Sequence, residues 1–206
     1  MAIDINKVSH PLLREQEDGT ESPYSRDKEF TITCTTPDGE QTFELVLFYS
    51  PSGNAPLEEL CIELYKEEDI FYIATISINE EAFKTTYAKM LKGDFAQFPD
   101  KVKTLIQNVE TNRTVFSALF DNNTLTIKQK LQFKTVKILE LNFTVLEPDD
   151  DYVVEVAQFR YDNKKVLADA LESSYDELCK HVQKQNKQLY QQLVRGQDFN
   201  ASRSMK

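Results

Sequence analysis

The chain has 206 residues, 40% of them hydrophobic, and 24 Lys and Arg against 34 Asp and Glu leave a formal charge of −10. That is enough for one domain with a packed core plus an appendage, and the acidic balance argues against a general binder of nucleic acid or anionic membrane, which needs a basic footprint. No run of about 18 apolar residues offers a membrane span, the N-terminus MAIDINKVSHPLL lacks the apolar core of a signal peptide, and Cys34, Cys61 and Cys179 share no ligand spacing, so the expectation is a cytoplasmic chain with reduced thiols and no metal or cofactor.

Residues 1–28 are rich in charge, Ser, Gly and Pro without a period, which predicts a disordered leader. His10 falls in it and is expected in solvent, as is His181. Order is expected to begin with EFTITCTT, 29–36, where Phe30, Ile32 and Cys34 alternate with polar residues. The turn signal PDGE and the strand QTFELVLFYS, 41–50, complete a hairpin. LEELCIELYK, 57–66, places Leu60, Ile62 and Leu64 on one face. IFYIATISI, 70–78, is a fourth strand, rich in Ile and aromatics. Glu67, Glu68 and Asp69 lie in the turn between them.

The period then changes. Asn79 suits a helix N-cap, Glu80 and Glu81 suit the first turn, and Phe83, Tyr87 and Met90 or Leu91 recur at helical spacing up to Gly93. Pro99 opens a second helix through Val102, Leu105, Ile106 and Val109. Strands return at 114–120, from Thr124, and at 137–146, where Leu139, Leu141, Phe143 and Val145 share a face.

The acidic triplet Asp149–Asp151 fits a helix start better than a metal site, because no further ligands accompany it. The helix it opens is expected to reach Val194, with Gly196 as the stop and 196–206 as a disordered tail. Tyr161, Ala168, Tyr175, Val182 and Leu189 recur every seven residues, with Lys164, Leu171, Leu178, Gln185 and Gln192 at the companion positions. Residues Tyr175 to Leu189 lie up to about 50 Å along the helix from its start, too far to be covered by the head. A parallel two-stranded coiled coil is the expectation. The fold class is therefore mainly β with α: a seven-stranded antiparallel sandwich or barrel head, 29–148, with an inserted helix-turn-helix, and then a stalk, 149–195. Nucleophile–base pairs, phosphate loops and His/carboxylate clusters are missing from this vocabulary, so no enzyme is expected.

One stretch resists a plain strand reading. KQKLQFKTVK, 128–137, sets Leu131 and Phe133 among Lys128, Gln129, Lys130, Gln132, Lys134 and Lys137. On composition alone, Phe133 either folds back over its own sheet edge or stands exposed for a partner. The lysines either protect an edge strand or face an acidic partner.

The segments ISINEEAF and DFAQFPDKV, and LTIKQKLQFKTVKILELNF with its LxIxxxxQFKxxxxLxLxF pattern, resemble the head of the spindle assembly abnormal protein 6 family, which builds the centriolar cartwheel. The resemblance runs from about residue 29 into the stalk. It implies a self-assembling scaffold that forms a homodimer through the stalk, with head-to-head contacts making higher homo-oligomers at the centriole or basal body beside other centriolar or cytoskeletal proteins. It implies that a hydrophobic residue at the tip of the last hairpin, here Phe133 with Gln132 and Lys134 beside it, inserts into a facing head; Leu131 takes that place if the alignment slips by two. By analogy the receiving pocket draws on Phe98, Phe116 and Phe120, each of which is also readable as core. A shorter relative building flagellar, apical or other cytoskeletal structures is the alternative, and further off a DNA-repair scaffold of the same layout.

Overall fold

The structure, a computed structural model, describes residues 9–15, 19–52, 56–187 and 190–191. It divides into two units, residues 9–160 and residues from Tyr161 onward. In the first, strands β1 (Ser25–Arg26), β2 (Phe30–Thr36), β3 (Gly39–Ser50), β4 (Glu59–Lys66) and β5 (Ile73–Asn79) come first. A clip follows: α1 (Glu80–Ala82), a π-helical turn (Phe83–Tyr87), α2 (Ala88–Leu91) and α3 (Phe98–Thr111). Then come β6 (Phe116–Asp121), β7 (Thr124–Lys130), β8 (Thr135–Asn142) and β9 (Thr144–Val145), and α4 (Asp151–Gln185) begins.

The local signals act as the residue types dictate. Asn79 Oδ1 accepts the Ala82 N–H at 2.9 Å and starts the clip. Gly93 has φ +131° and sits so close to Lys101 that a Cβ would meet its Nζ; only glycine fits there. Asp150 caps α4 by accepting the Tyr152 N–H at 2.8 Å.

The strands form one sheet in the order β8-β7-β6-β2-β3-β4-β5-β9, with β1 pairing to β3. Its two end strands, β8 and β9, are separated in the chain by Phe143 alone, so the sheet must curl until its ends meet. Here the structure differs from the single strand read over 137–146. Phe143 breaks it, donating its N–H to the Asn123 carbonyl at 2.8 Å, and Thr144–Val145 cross to pair with β5. The fourth strand also starts later than read. Asp69 accepts the Phe71 N–H through its side chain and the Tyr72 N–H through its carbonyl, turning 69–72 into a tight bend.

All strand pairs are antiparallel except β2 with β6, which meet only at Thr35 and Leu119. The clip fills this weak seam. Glu110 of α3 accepts the Thr33 N–H at 2.6 Å, and Val102, Leu105, Ile106 and Val109 enter the main core with Phe83, Phe95 and Phe98. Cys34 lies in that core, as its alternation predicts, and burial pushes its thiol up to about 12.

β4 is buried on both faces. Leu60, Ile62 and Leu64 face the main core; Cys61 and Tyr65 face a second apolar cluster with Val46, Phe48, Ile73 and, from α4, Val153 and Val156. The head thus has a second layer made by the first turns of α4. Leu12, Leu13 and Tyr24 pack on it too, which corrects the reading of 1–28 as a disordered leader for its described residues. Pro11–Leu13 form a 3-10 turn, Ser25–Arg26 pair with β3, and His10, expected in solvent, is buried to 1% exposure.

The second unit, within the described residues, is the continuation of α4. Leu189, Gly196 and the expected tail lie outside the described residues.

Candidate functional site

The hairpin that joins β7 to β8 ends in the loop Leu131–Lys134. Lys130 pairs with Thr135 across the ladder, and Leu131 donates its N–H to the Lys134 carbonyl at 2.8 Å, so the loop is a closed turn. Gln132 and Phe133 occupy its tip. Phe133 is 90% exposed and Leu131 43% exposed, while Gln132 and Lys134 stand in solvent. The alternative in which Phe133 folds back over its own sheet edge therefore does not occur. The reason is geometric: a two-residue tip directs its side chains away from the ladder, whereas the inward positions Leu125, Ile127, Leu139 and Leu141 are already fully buried. Lys137 pairs with Glu140 at 2.6 Å on its own strand.

The pocket residues fare differently. Phe98 is wholly buried among Phe83, Tyr87 and Phe95, with ring centroids at 5.1, 5.1 and 6.4 Å. Phe120 packs on Phe43 at 4.8 Å. Both are core residues and cannot form the wall of an open pocket. Phe116 is half-buried and borders a shallow cleft with Thr33, Val109 and Arg113. A mainly apolar cleft does open on the clip, between α2 and α3, lined by Leu91, Gln97, Asp100, Lys101, Thr104 and Leu105. Lys101 holds it in shape by donating to the Leu91 carbonyl at 2.7 Å and to that of Lys92. It lies beside α2, which packs on β8, the strand leaving the hairpin tip.

Along α4, the heptad positions Tyr161, Ala168, Leu171, Tyr175, Leu178 and Gln185 are exposed and Val182 is half-buried. Leu171 is 62% exposed and Leu178 57%. Val154, one heptad before Tyr161, is exposed as well, although Val153, Val156 and Ala157 around it are buried. The seven-residue repeat could have been extended back to it.

Sequence reasoning missed the polar pins of the α4 start. Glu63, 1% exposed on β4, accepts from the hydroxyls of Tyr65 and Tyr152 and lies 3.1 Å from His10 Nε2. Burial first, then the Glu63 charge, push both phenols well above the ordinary tyrosine range. Arg160, also buried, donates to the carbonyls of Ile70 at 2.9 Å and Lys66 at 2.8 Å and lies over the Tyr65 ring. A glutamate amid LCIELY was the one available signal, since a strand covered on both faces must bury it. Among the described residues no group of three or more His, Cys, Asp or Glu is placed to hold a metal ion, and no helix is long and apolar enough to cross a membrane.

A curled β-rich head with a helical clip, an exposed ring on a closed turn and a long helix with an exposed apolar seam define a structural head domain carrying the start of a stalk. Residues 22–143, more than half of the chain, match the centriolar protein SAS N-terminal domain, and the chain belongs to this SAS-6 head family of structural centriolar proteins. The fold is shared with an N-terminal fragment of Leishmania SAS-6 containing parts of its coiled-coil domain, at 16% identity and a TM-score of 0.62 over 81% of this chain and 98% of that one. A fragment of Drosophila melanogaster Sas-6, dimerised via its coiled-coil domain, gives 10% identity and a TM-score of 0.61 over 89% and 94%. An N-terminal coiled-coil dimer of C. elegans SAS-6 gives 16% and 0.51 over 76% and 99%. No curated protein gives a significant sequence match.

Proposed function

We propose that the chain is a self-assembling scaffold subunit of the centriolar cartwheel, without catalytic activity, which pairs in parallel through the α4 seam and joins neighbouring dimers head to head. The observation that carries this reading is Phe133, 90% exposed on a closed turn in a member of a centriolar family. In this reading the ring enters the cleft between α2 and α3 of a facing head, while that head's Phe133 enters the first cleft. A two-fold contact needs tip and cleft on one surface, and the packing of α2 on β8, the strand that leaves the tip, supports that reading. Each buried ring contributes about 1.5–3 kcal/mol, and a two-fold contact buries two of them. After association costs the contact is weak, on the order of micromolar to millimolar. Weak contacts suit assembly, because misplaced units leave and many contacts together hold. The stalk supplies the second two-fold, and two non-coincident two-folds generate a ring or a filament.

Sedimentation velocity at several concentrations tests the head contact. Phe133→Glu is expected to stop growth beyond the dimer while urea unfolding stays within about 0.5 kcal/mol of wild type. Equal higher-order association in the two proteins removes Phe133 from the mechanism.

A further inference from the structure

The described part of the N-terminal segment packs on the first turns of α4. His10 sits between two elements: its ring lies 4.6 Å from that of Phe48 on β3, and at 5.1 and 6.3 Å edge-on to Phe159 and Tyr152 of α4. Its Nδ1 faces the Leu12 N–H at 3.3 Å, a donor, so Nδ1 must be the unprotonated nitrogen and accept. The ring proton is then on Nε2, which is hydrogen-bonded to the Tyr65 hydroxyl at 3.3 Å and lies 3.1 Å from Glu63 Oε2. The other Glu63 oxygen accepts from Tyr152, the second residue of α4. One carboxylate therefore ties residue 10 to residue 152 through β4.

Further contacts run the same way. Arg14 donates to Glu155 at 2.6 Å, and Arg26 of β1 lies over the Phe159 ring at 5.5 Å. The segment is itself held. Ser22 donates to the Leu12 carbonyl, Tyr24 bonds Glu59 at 2.5 Å, and Ser52 donates its N–H to the Pro23 carbonyl at 2.7 Å.

We propose that residues Ser9–Arg14 act as a strap, with His10 as the positioning residue, that clamps the first turns of α4 onto the β3–β4 face, and that this clamp holds the helix start firmly enough for assemblies of uniform size. The second half rests on the self-assembly reading. Two two-folds on one chain close into a ring only where the angle between them is held, and Val154, one heptad before Tyr161, stands exposed on that helix start. A buried histidine bonded at both nitrogens suits such a clamp, because its geometry is fixed by two partners on different segments.

The test separates the two bonds of His10. His10→Asn keeps an acceptor where Nδ1 lies and loses the donor at Nε2, which faces Tyr65 and Glu63. His10→Gln keeps the donor and loses the Leu12 acceptor. Amide hydrogen exchange is followed on the full chain carrying Phe133→Glu, so that no assembly is needed. Expected is a rise of roughly tenfold over residues 152–160 in His10→Asn, the worth of one buried hydrogen bond, with β2–β3 and β7–β8 unchanged and His10→Gln within about threefold of wild type. Arg14→Glu, whose pair with Glu155 is half exposed and whose change does not threaten folding, gives a rise of about twofold over the same residues. Unchanged exchange at 152–160, or a uniform rise across the whole head, overturns the clamp. With Phe133 restored, His10→Asn is expected to broaden the distribution of assembly sizes seen by electron microscopy. Unaltered size uniformity despite faster exchange overturns the assembly half alone.

Discussion

The hairpin tip and the α4 start are opposite solutions in one small head. At the tip, a phenyl ring is left in solvent amid lysines. At the α4 start, a glutamate, a histidine and an arginine are taken out of water and each is bonded. Apolar exposure costs little when a single ring is concerned, and it leaves a surface free to bind. Polar burial costs much unless every group is paired, and when paired it fixes one geometry. A region that must meet another molecule can keep the first cost; a region that must hold its own shape gains from the second.

The largest expected effect tests the buried side of that comparison. Glu63→Ala leaves the Tyr65 and Tyr152 hydroxyls without their acceptor and takes the carboxylate from beside His10 Nε2, so it is expected to cost about 3–5 kcal/mol, read by urea unfolding. A loss below about 1 kcal/mol, the scale of an exposed pair, would mean that water replaces the carboxylate and that the network is not what holds α4.

The exposed side of the comparison has its own second member in the stalk. Leu178→Asp is expected to weaken dimerisation by about 2–4 kcal/mol through a lost apolar contact and a charge at the seam, with head unfolding unchanged. Analytical ultracentrifugation of the Phe133→Glu background isolates this step. Dimers that survive unchanged would show that the seam runs along another face, such as one built on Leu167, which is equally exposed.

What the sequence made legible follows the same division. Phe30, Ile32 and Cys34 alternate, Asn79 caps and Pro99 opens, because each of these signals is local. Phe133 was suspect for a local reason too: one ring among four lysines. The α4 pins were hidden because they are built from residues 10, 63, 65, 152 and 160, and nothing in the neighbourhood of His10 says that a glutamate 53 positions away will lie against it. The split at Phe143 was hidden likewise. Leu139, Leu141, Phe143 and Val145 alternate as one strand, and only the curl of the sheet decides that the last of them pairs with β5. The receiving pocket was obscure from the reverse cause: Phe98 and Phe120, candidates by analogy and readable equally as core, are both taken up by the core.

The smallest expected effect probes a site between the two extremes, where charge is half covered. Asp27 accepts from the Tyr49 hydroxyl at 2.5 Å, from the Lys28 N–H at 2.7 Å and from Lys103 at 3.0 Å. Burial alone would raise its carboxyl; the three donors and the Lys103 charge outweigh it, and the group lies below the usual aspartate range. Such a group contributes stability that is fully present above the unfolded-state value, about 3.9, and is lost as pH falls through its lower folded-state value. Lys103 is pulled the other way: burial lowers it, but Asp100 and Asp27 hold it above the ordinary lysine range, so it keeps its charge throughout the acid arm. Asp27→Asn is therefore expected to cost about 1 kcal/mol at any pH from 5 to 8, and the gap to wild type is expected to close below about pH 4. Glu110, which burial raises and the Thr33 N–H and Arg113 lower by more, is common to both proteins and cancels in the difference. A gap that persists to pH 2 would assign the loss to packing instead of charge, and one that closes by pH 6 would mean that the carboxyl is not depressed at all.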